Sequence, residues 1–108
     1  MASEIVIAQT TIDDEDQAKA LARGAVENRL AAGAHIDQPL TAVYRWKGAI
    51  ETVQEWRISY KTTTDRLPEL AAWVAKEHSY EVPEWITVPV TGGSEAYLSW
   101  VVEESSAQ

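Results

Sequence analysis

The chain has 108 residues, with 17 acidic and 9 basic side chains that give a net charge of −8. This length is typical of one domain, here taken as residues 1–108, and a hydrophobic content of 45% excludes a disordered chain. There is no cysteine, which excludes disulfides, thiolate metal sites and a cysteine nucleophile. The acidic excess repels polyanions, so we expect neither nucleic acid nor a membrane surface as a partner.

The chain ends carry few structural signals. Residues 1–4 lack a basic or long apolar segment, so the sequence predicts no signal peptide and a cytoplasmic location. The longest apolar runs fall far short of the ~20 residues that span a bilayer. Residues 103–108 have little apolar surface to pack. We therefore expect both termini to be frayed around an ordered core at about residues 5–103.

The first third of the chain predicts a strand followed by a helix. The β-branched run at residues 5–8 is typical of a buried strand. Asp13 is placed to cap the helix, and residues 14–16 add acidic side chains to its first turn. Gly33 is placed to end it. The apolar stripe of this helix consists of Ala18, Leu21, Ala22, Ala25, Val26 and Leu30.

Residues 40–61 change to a period of two, which predicts a β-hairpin with arms of roughly ten residues. The turn falls at residues 47–49. One face of the first arm carries Leu40, Ala42, Tyr44 and Trp46. One face of the second arm carries Ile50, Thr52, Gln54, Trp56, Ile58 and Tyr60.

The last third predicts a helix with Pro68 in its first turn, a strand at residues 85–90 and a short C-terminal helix from about Ser94. The whole order is strand, helix, strand, strand, helix, strand. This order predicts an α+β fold: a ferredoxin-like βαββαβ sandwich with a long central β-hairpin and a short C-terminal helix.

The hairpin is long for a domain of this size. A compact chain of this length is about 35 Å across, whereas a strand of ten to twelve residues extends about 33–40 Å. The distal arms carry Tyr44, Trp46 and Ile50, and the sheet face lined by Val43 and Val53 lacks helices. We therefore expect association with further copies of the chain, the alternative being a hairpin that bends back on its own domain.

Several short segments together resemble the CutA family over residues 5–103. They are LAAGA at 30–34, YRWKG at 44–48, KT at 61–62, HSYEVPE at 78–84 and YLSW at 97–100. The resemblance implies a ferredoxin-like homotrimer, similar in plan to the PII signalling proteins, with hairpins that pair between subunits. It implies a role in tolerance to divalent metals, copper in particular, and no enzymatic reaction. The residues it assigns to trimer packing and an intersubunit cleft are Tyr44, Trp46, Gly48, Lys61, Tyr80 and Trp100.

The chain departs from the family pattern at three positions. Gln9 and Gly33 stand where the family often has cysteine, so a thiolate copper site does not carry over. Ser79 replaces the usual proline between His78 and Tyr80.

A metal site is the main candidate for chemistry. His78, Glu81 and Glu84 cluster after the second helix, and an imidazole with two carboxylates suits Cu(II) or Zn(II). The alternative is that His78 packs on the apolar face of its helix end. His35 and Asp37 form a second pair that would share one side of an extended segment, with too few ligands for a metal. The acids at residues 13–16 lack the spacing of a calcium loop, and the helix dipole explains them.

A basic stripe is the remaining candidate. Arg45, Arg57 and Lys61 recur at even spacing and could receive an anion. Cross-strand salt bridges to Glu51 and Glu55 explain them equally well.

The leading functional hypothesis is a non-enzymatic trimer of divalent-cation homeostasis that binds metal weakly through histidine and carboxylates. The runner-up is a PII-like trimer that binds a small ligand in its intersubunit cleft. An acylphosphatase would need a phosphate-binding arginine after the first strand, where residues 9–14 are acidic instead.

Overall fold

The computed structural model describes residues 4–107. This part of the chain forms five strands and three helices. In chain order they are β1 (Ile5–Ile12), α1 (Glu15–Glu27), β2 (Gly33–Ile36), β3 (Leu40–Trp46), β4 (Ala49–Thr63), α2 (Leu67–Glu77), β5 (Ile86–Pro89) and α3 (Glu95–Glu104).

Strand β4 organises the sheet. It pairs antiparallel with β1, with β2 and with β3, while β5 pairs antiparallel with the other edge of β1. The resulting order is β2-β4-β1-β5, with β3 beside the distal half of β4. This arrangement confirms the α+β, ferredoxin-like prediction. It adds one feature that the sequence pattern did not indicate: the arm facing β4 is split into β2 and β3 at residues 37–39, where Pro39 has no N–H to donate.

The hairpin is less symmetric than predicted. Its arms have 7 and 15 residues instead of about ten each, because β4 continues into the central sheet. Trp46 pairs with Ala49, so the turn itself consists of Lys47 and Gly48. Both have positive φ angles, 49° and 84°, as in the two-residue turns whose twist matches that of a hairpin.

Helices α1 and α2 cover one face of the central sheet. Tyr60 of β4 is fully buried there, and its hydroxyl donates to the Leu21 carbonyl of α1 at 2.9 Å. Burial raises the pKa of this phenol. The core between helices and sheet is formed mainly by Ala8, Ile12, Ala18, Leu21, Ala25, Ile58, Leu70 and Val74. None of the helices within residues 4–107 is long and apolar enough to cross a membrane.

The boundaries of α1 differ from the prediction. Asp14, not Asp13, is the N-cap, and its carboxylate accepts from the Gln17 backbone N–H at 2.9 Å. The helix ends at Glu27, and Arg29 takes the positive φ of 57° that was expected of a glycine. Gly33 is the first residue of β2 instead.

Helix α3 lies on the opposite face of the sheet. Gly33 pairs with Lys61, and a Cβ built on Gly33 would lie 3.3 Å from the Trp100 ring of α3. Lys61 and the buried Tyr60 are adjacent on β4, so their side chains point to opposite faces of the sheet. Trp100 therefore covers the face opposite to α1 and α2. The expectation that this face has no helix is therefore wrong at its β2 end.

The C-terminal residues are held by a side chain from the loop after α1. Arg29 donates from Nε to the Ser106 carbonyl at 2.7 Å and from Nη2 to the Glu103 carbonyl at 2.8 Å. Ser105 is buried and caps α3. These contacts join residues 103–106 to the rest of the fold, while fraying of the termini stays a prediction, and its residues 1–3 and 108 lie outside the described residues.

The molecule is elongated, with extents of 46 × 25 × 23 Å and a radius of gyration of 14.4 Å. Its long axis exceeds the about 35 Å expected of a compact chain of this length. The hairpin therefore extends beyond its own core, as the sequence predicted.

Gly24 provides a test of the packing between α1 and α2. A Cβ built there would lie 2.6 Å from Cζ2 of Trp73. In an open helix, Gly→Ala stabilises by about 1 kcal/mol, but this contact forces the indole to move. We expect Gly24→Ala to lower the free energy of unfolding by about 1–3 kcal/mol in urea titrations at one fixed protein concentration.

Lys19→Ala, at an exposed position of α1, is the control and should change stability little. In a Trp73→Leu background the Gly24→Ala change should become neutral or stabilising. A destabilisation that is equal in both backgrounds would contradict the contact.

Candidate functional site

The two faces of the hairpin differ in chemistry. Cross-strand partners share a face, so Tyr44 lies with Glu51, and Leu40 lies with Glu55. We call this side the cleft face. The other side, the outer face, places Val43 beside Thr52 and Arg45 beside Ile50. Val53 pairs with Ala42 on the cleft face, so the expectation that Val43 and Val53 line one surface is wrong.

A cleft of about 690 Å³ lies against the cleft face. The loop at residues 80–84 forms its opposite wall, and Thr11 at the end of β1 closes one side. The tip of the hairpin reaches the loop, where the Lys47 ammonium lies 3.6 Å from the Glu81 carboxylate. Both side chains of this pair are exposed, so it contributes little to stability.

Glu55 is the buried charge of the cleft, with 4% of its surface exposed. Its Oε2 accepts a hydrogen bond of 2.7 Å from the Tyr80 hydroxyl. Burial, followed by this hydrogen bond and by the Glu55 charge, raises the pKa of Tyr80. Burial and the charges of Glu55, Glu51 and Asp13 likewise raise the pKa of Tyr44. In both cases the acidic neighbours add to the larger effect of burial.

The cationic side chains at the cleft already have acidic neighbours. Arg57 lies 3.6 Å from the Asp37 carboxylate. Lys47 lies near Glu81 and also 5.5 Å from the ring centre of Trp46. The predicted bridges from Arg45, Arg57 and Lys61 to Glu51 and Glu55 are absent among the ion pairs of residues 4–107.

The structure brings together three of the six residues that the resemblance assigned to trimer packing and a cleft. Tyr44, Trp46 and Tyr80 line the cleft of the single chain. Gly48 lies in the turn of the hairpin, Lys61 lies near β2, and Trp100 lies on α3. Whether these surfaces meet another subunit stays a prediction.

The proposed ligand His78 is engaged at both ring nitrogens. Its Nδ1 accepts from the Tyr80 backbone N–H at 3.1 Å, so Nε2 carries the proton that is donated to the Thr11 carbonyl at 2.8 Å. The side chain is 7% exposed. His78 thus joins the end of α2 to the end of β1, which is the packed alternative considered from the sequence.

The predicted metal set of His78, Glu81 and Glu84 stays a prediction, and the geometry of the single chain does not support it. No group of three or more histidine, aspartate or glutamate side chains in the described part of the chain could hold a metal ion. Binding a metal at His78 would break one of its two hydrogen bonds. Helical spacing places a histidine on a face but does not show what its nitrogens contact.

The predicted basic stripe is wrong, because its three cationic side chains do not share one face. Arg45 lies on the outer face of the hairpin, whereas Arg57 and Lys61 lie on the face that continues the cleft face. The Lys61 ammonium donates to Nδ1 of His35 at 3.0 Å. Burial lowers the pKa of Lys61, and the Asp37 charge partly offsets this effect. His35 and Asp37 share a face as predicted, each beside a cation.

The sequence interpretation missed Glu55 as the central residue of the cleft and treated it only as a partner for arginines. A signal for it was present. Glu55 shares the cleft face of β4 with Glu51 and Val53, and it lies opposite the arm that carries Tyr44. What the spacing could not show is that the loop after α2 returns over this face and buries Glu55 with Tyr80.

His78→Ala separates a structural role from metal binding. The substitution removes two hydrogen bonds and leaves a cavity, so we expect unfolding free energy to fall by about 2–4 kcal/mol. Calorimetric titration of Cu(II) should give the same affinity for the variant and the wild type. His35→Ala, at an exposed imidazole, is the control for histidine loss. A Cu(II) affinity that drops only in His78→Ala would contradict the structural role.

The raised pKa of Tyr80 predicts that the free energy of unfolding falls at alkaline pH. Its pKa in the folded chain lies above the ordinary 10.0, so the folded state keeps a proton that the unfolded state has lost. This contribution is complete below about pH 10 and is lost as the pH rises further. We expect Tyr80→Phe to reduce the slope of unfolding free energy against pH by up to one proton, measured by urea unfolding between about pH 9 and 11. Identical slopes in the variant and the wild type would contradict this effect.

The chain is similar to known proteins over most of its length. Residues 6–104 match the family model described as CutA1 divalent ion tolerance protein. The chain is 39% identical over 95 residues to the divalent-cation tolerance protein CutA of Thermus thermophilus, covering 88% of this chain and 92% of that protein.

Two further relatives extend the comparison. The mouse protein CutA is 42% identical over 91 residues, covering 84% of this chain but only 51% of the mouse protein, so the chain spans about half of that relative's length. A solved structure of CutA from Synechococcus elongatus superposes with a TM-score of 0.91 at 35% identity, covering 97% of this chain and 93% of that one.

Proposed function

The chain belongs to the CutA1 divalent ion tolerance family, and from this membership we propose that it acts in tolerance to divalent cations, copper in particular, as a non-enzymatic homotrimer. Strand β3 pairs only with β4 within residues 4–107, so its other edge is open to a further strand. Open strand edges beside apolar side chains are surfaces on which a second chain associates.

The observation that carries the proposal is the pair of exposed apolar side chains on the outer face of the hairpin, Val43 and Ile50. Val43 is 64% exposed and Ile50 is 60% exposed, although both are typical buried strand residues. They lie on the part of the molecule that extends furthest from its core. A further copy of the chain would remove this apolar surface from water.

The state of both histidines supports a function without catalysis. His78 is held between two backbone groups, and Nδ1 of His35 accepts from Lys61. The chain has no cysteine. General-base chemistry therefore has no unengaged imidazole among the described residues.

The donor set does not fit a metal centre within one chain. His78 is committed, and the carboxylates of Glu81 and Glu84 alone leave most positions around Cu(II) or Zn(II) unfilled. We propose that contact with Cu(II) falls on such exposed carboxylates and is weak. Tolerance would then depend on the assembled protein instead of a tightly held ion.

Ile50→Lys tests the assembly. A charge on the outer face would be buried without a partner in a trimer, so native mass spectrometry at micromolar concentration should show the loss of the three-chain species. Val26→Lys makes the same change at an exposed position of α1 and should leave the assembly intact. Equal masses for Ile50→Lys and the wild type would contradict an interface on the outer face.

A second candidate function is a PII-like sensor of a small ligand. The cleft of about 690 Å³ favours it, because cavities of roughly 300–1,000 Å³ are typical ligand sites. Thermal-shift measurements with nucleotides and with divalent metals separate the two candidates. A shift with one ligand class alone selects the corresponding function.

A further inference from the structure

We propose that the cleft binds a small organic cation, in which an ammonium or guanidinium on an apolar or aromatic body donates a hydrogen bond to Glu55. This proposal deepens the second candidate function by naming the class of ligand. Its anchor, Glu55, lies on the cleft face of the hairpin, although Val43 of the outer face also borders the cleft.

Glu55 supplies the anchor. Its carboxylate is almost fully buried, yet only one of its oxygens has a hydrogen bond within residues 4–107, from the Tyr80 hydroxyl. The other oxygen is not among the buried side-chain atoms of the described residues that lack a partner, so it keeps contact with the open cleft and can accept a further donor. Because Glu55 lines the cleft, a ligand that enters it can supply that donor.

The charge of the cleft selects a cation. Three carboxylates line it, those of Glu55, Glu81 and Glu84, of which Glu81 is paired with Lys47. Arg57 also lines it but is paired with Asp37. The Asp13 charge is among the smaller contributions that raise the pKa values of Tyr44 and Tyr80. An anion would meet repulsion in this cleft, which disfavours nucleotides and other phosphate ligands.

The aromatic walls favour an organic cation over a bare metal ion. Tyr44, Trp46 and Tyr80 line the same cleft, and ring faces attract ammonium groups within about 6 Å. Lys47 already places its ammonium 5.5 Å from the Trp46 ring centre, so a cation can occupy this surface. Leu40 and Val82 add apolar surface for the body of a ligand. A metal ion would need several converging ligands, whereas an ammonium needs one carboxylate and a ring.

Benzylamine, benzyl alcohol and benzoate form a matched set of probes, because they share a ring and differ in charge. The full chain is titrated with each, and binding is followed by the NMR signals of the tryptophan indoles. We expect saturable binding of benzylamine, binding of benzyl alcohol that is weaker by about tenfold or more, and no binding of benzoate. Equal affinity for the amine and the alcohol would overturn the proposal, as would the absence of benzylamine binding.

Two substitutions assign the contact to the carboxylate. Glu55→Gln keeps the shape and removes the charge, so it should weaken benzylamine binding by about tenfold or more. Glu95→Gln makes the same change at the start of α3 and should bind like the wild type. Tyr80→Phe keeps the ring and releases the second Glu55 oxygen, so it should bind benzylamine at least as tightly. Unchanged binding in Glu55→Gln, or lost binding in Tyr80→Phe, would overturn the role of Glu55.

Native mass spectrometry of the same samples distinguishes failure of the cation site from failure of the trimer. A three-chain species that does not bind benzylamine contradicts the cation site and leaves the trimer standing. A single chain that binds benzylamine through Glu55 supports the cation site and contradicts the trimer. Displacement of benzylamine by Cu(II) at equimolar concentration would show that the cleft prefers a metal, and would also overturn the proposal.

Discussion

Strand β4 is longer than one sheet needs. Its 15 residues pair with β1 and β2 along the proximal half and with β3 along the distal half. At about 3.3 Å per residue such a strand extends roughly 45–50 Å, which matches the 46 Å long axis of the molecule. The proximal half is buried under α1 and α2, whereas the distal half has only its hairpin partner. The unusual surfaces of the protein follow from this division.

The distal half then has two faces with different environments. On the cleft face, the loop after α2 returns over the strands, and Tyr80 covers Glu55. On the outer face nothing in the described chain covers Val43 or Ile50. One strand therefore carries a cleft with acidic and aromatic side chains on one side and the exposed side chains of Val43 and Ile50 on the other.

The fold could be predicted from the sequence to a large extent because it depends on local periodicity. The alternation from Leu40 to Tyr60 and the apolar stripe of α1 determine strands, helices and their order. The site could be predicted much less well. Tyr44 and Trp46 were assigned to a cleft from the resemblance, but the fate of His78 depended on backbone groups of Thr11 and Tyr80 that come from distant segments. Burial of Glu55 likewise results from a loop path that no local pattern shows.

The central claim is that the outer face of the hairpin is covered by further copies of the chain. Sedimentation equilibrium of the wild-type protein, diluted through the low micromolar range with and without Cu(II), tests it most directly. We expect a mass of about three times the 12.0 kDa of one chain, unchanged by dilution. A well-folded species of 12.0 kDa would show that the hairpin is stable with its apolar face in water, and would contradict this account.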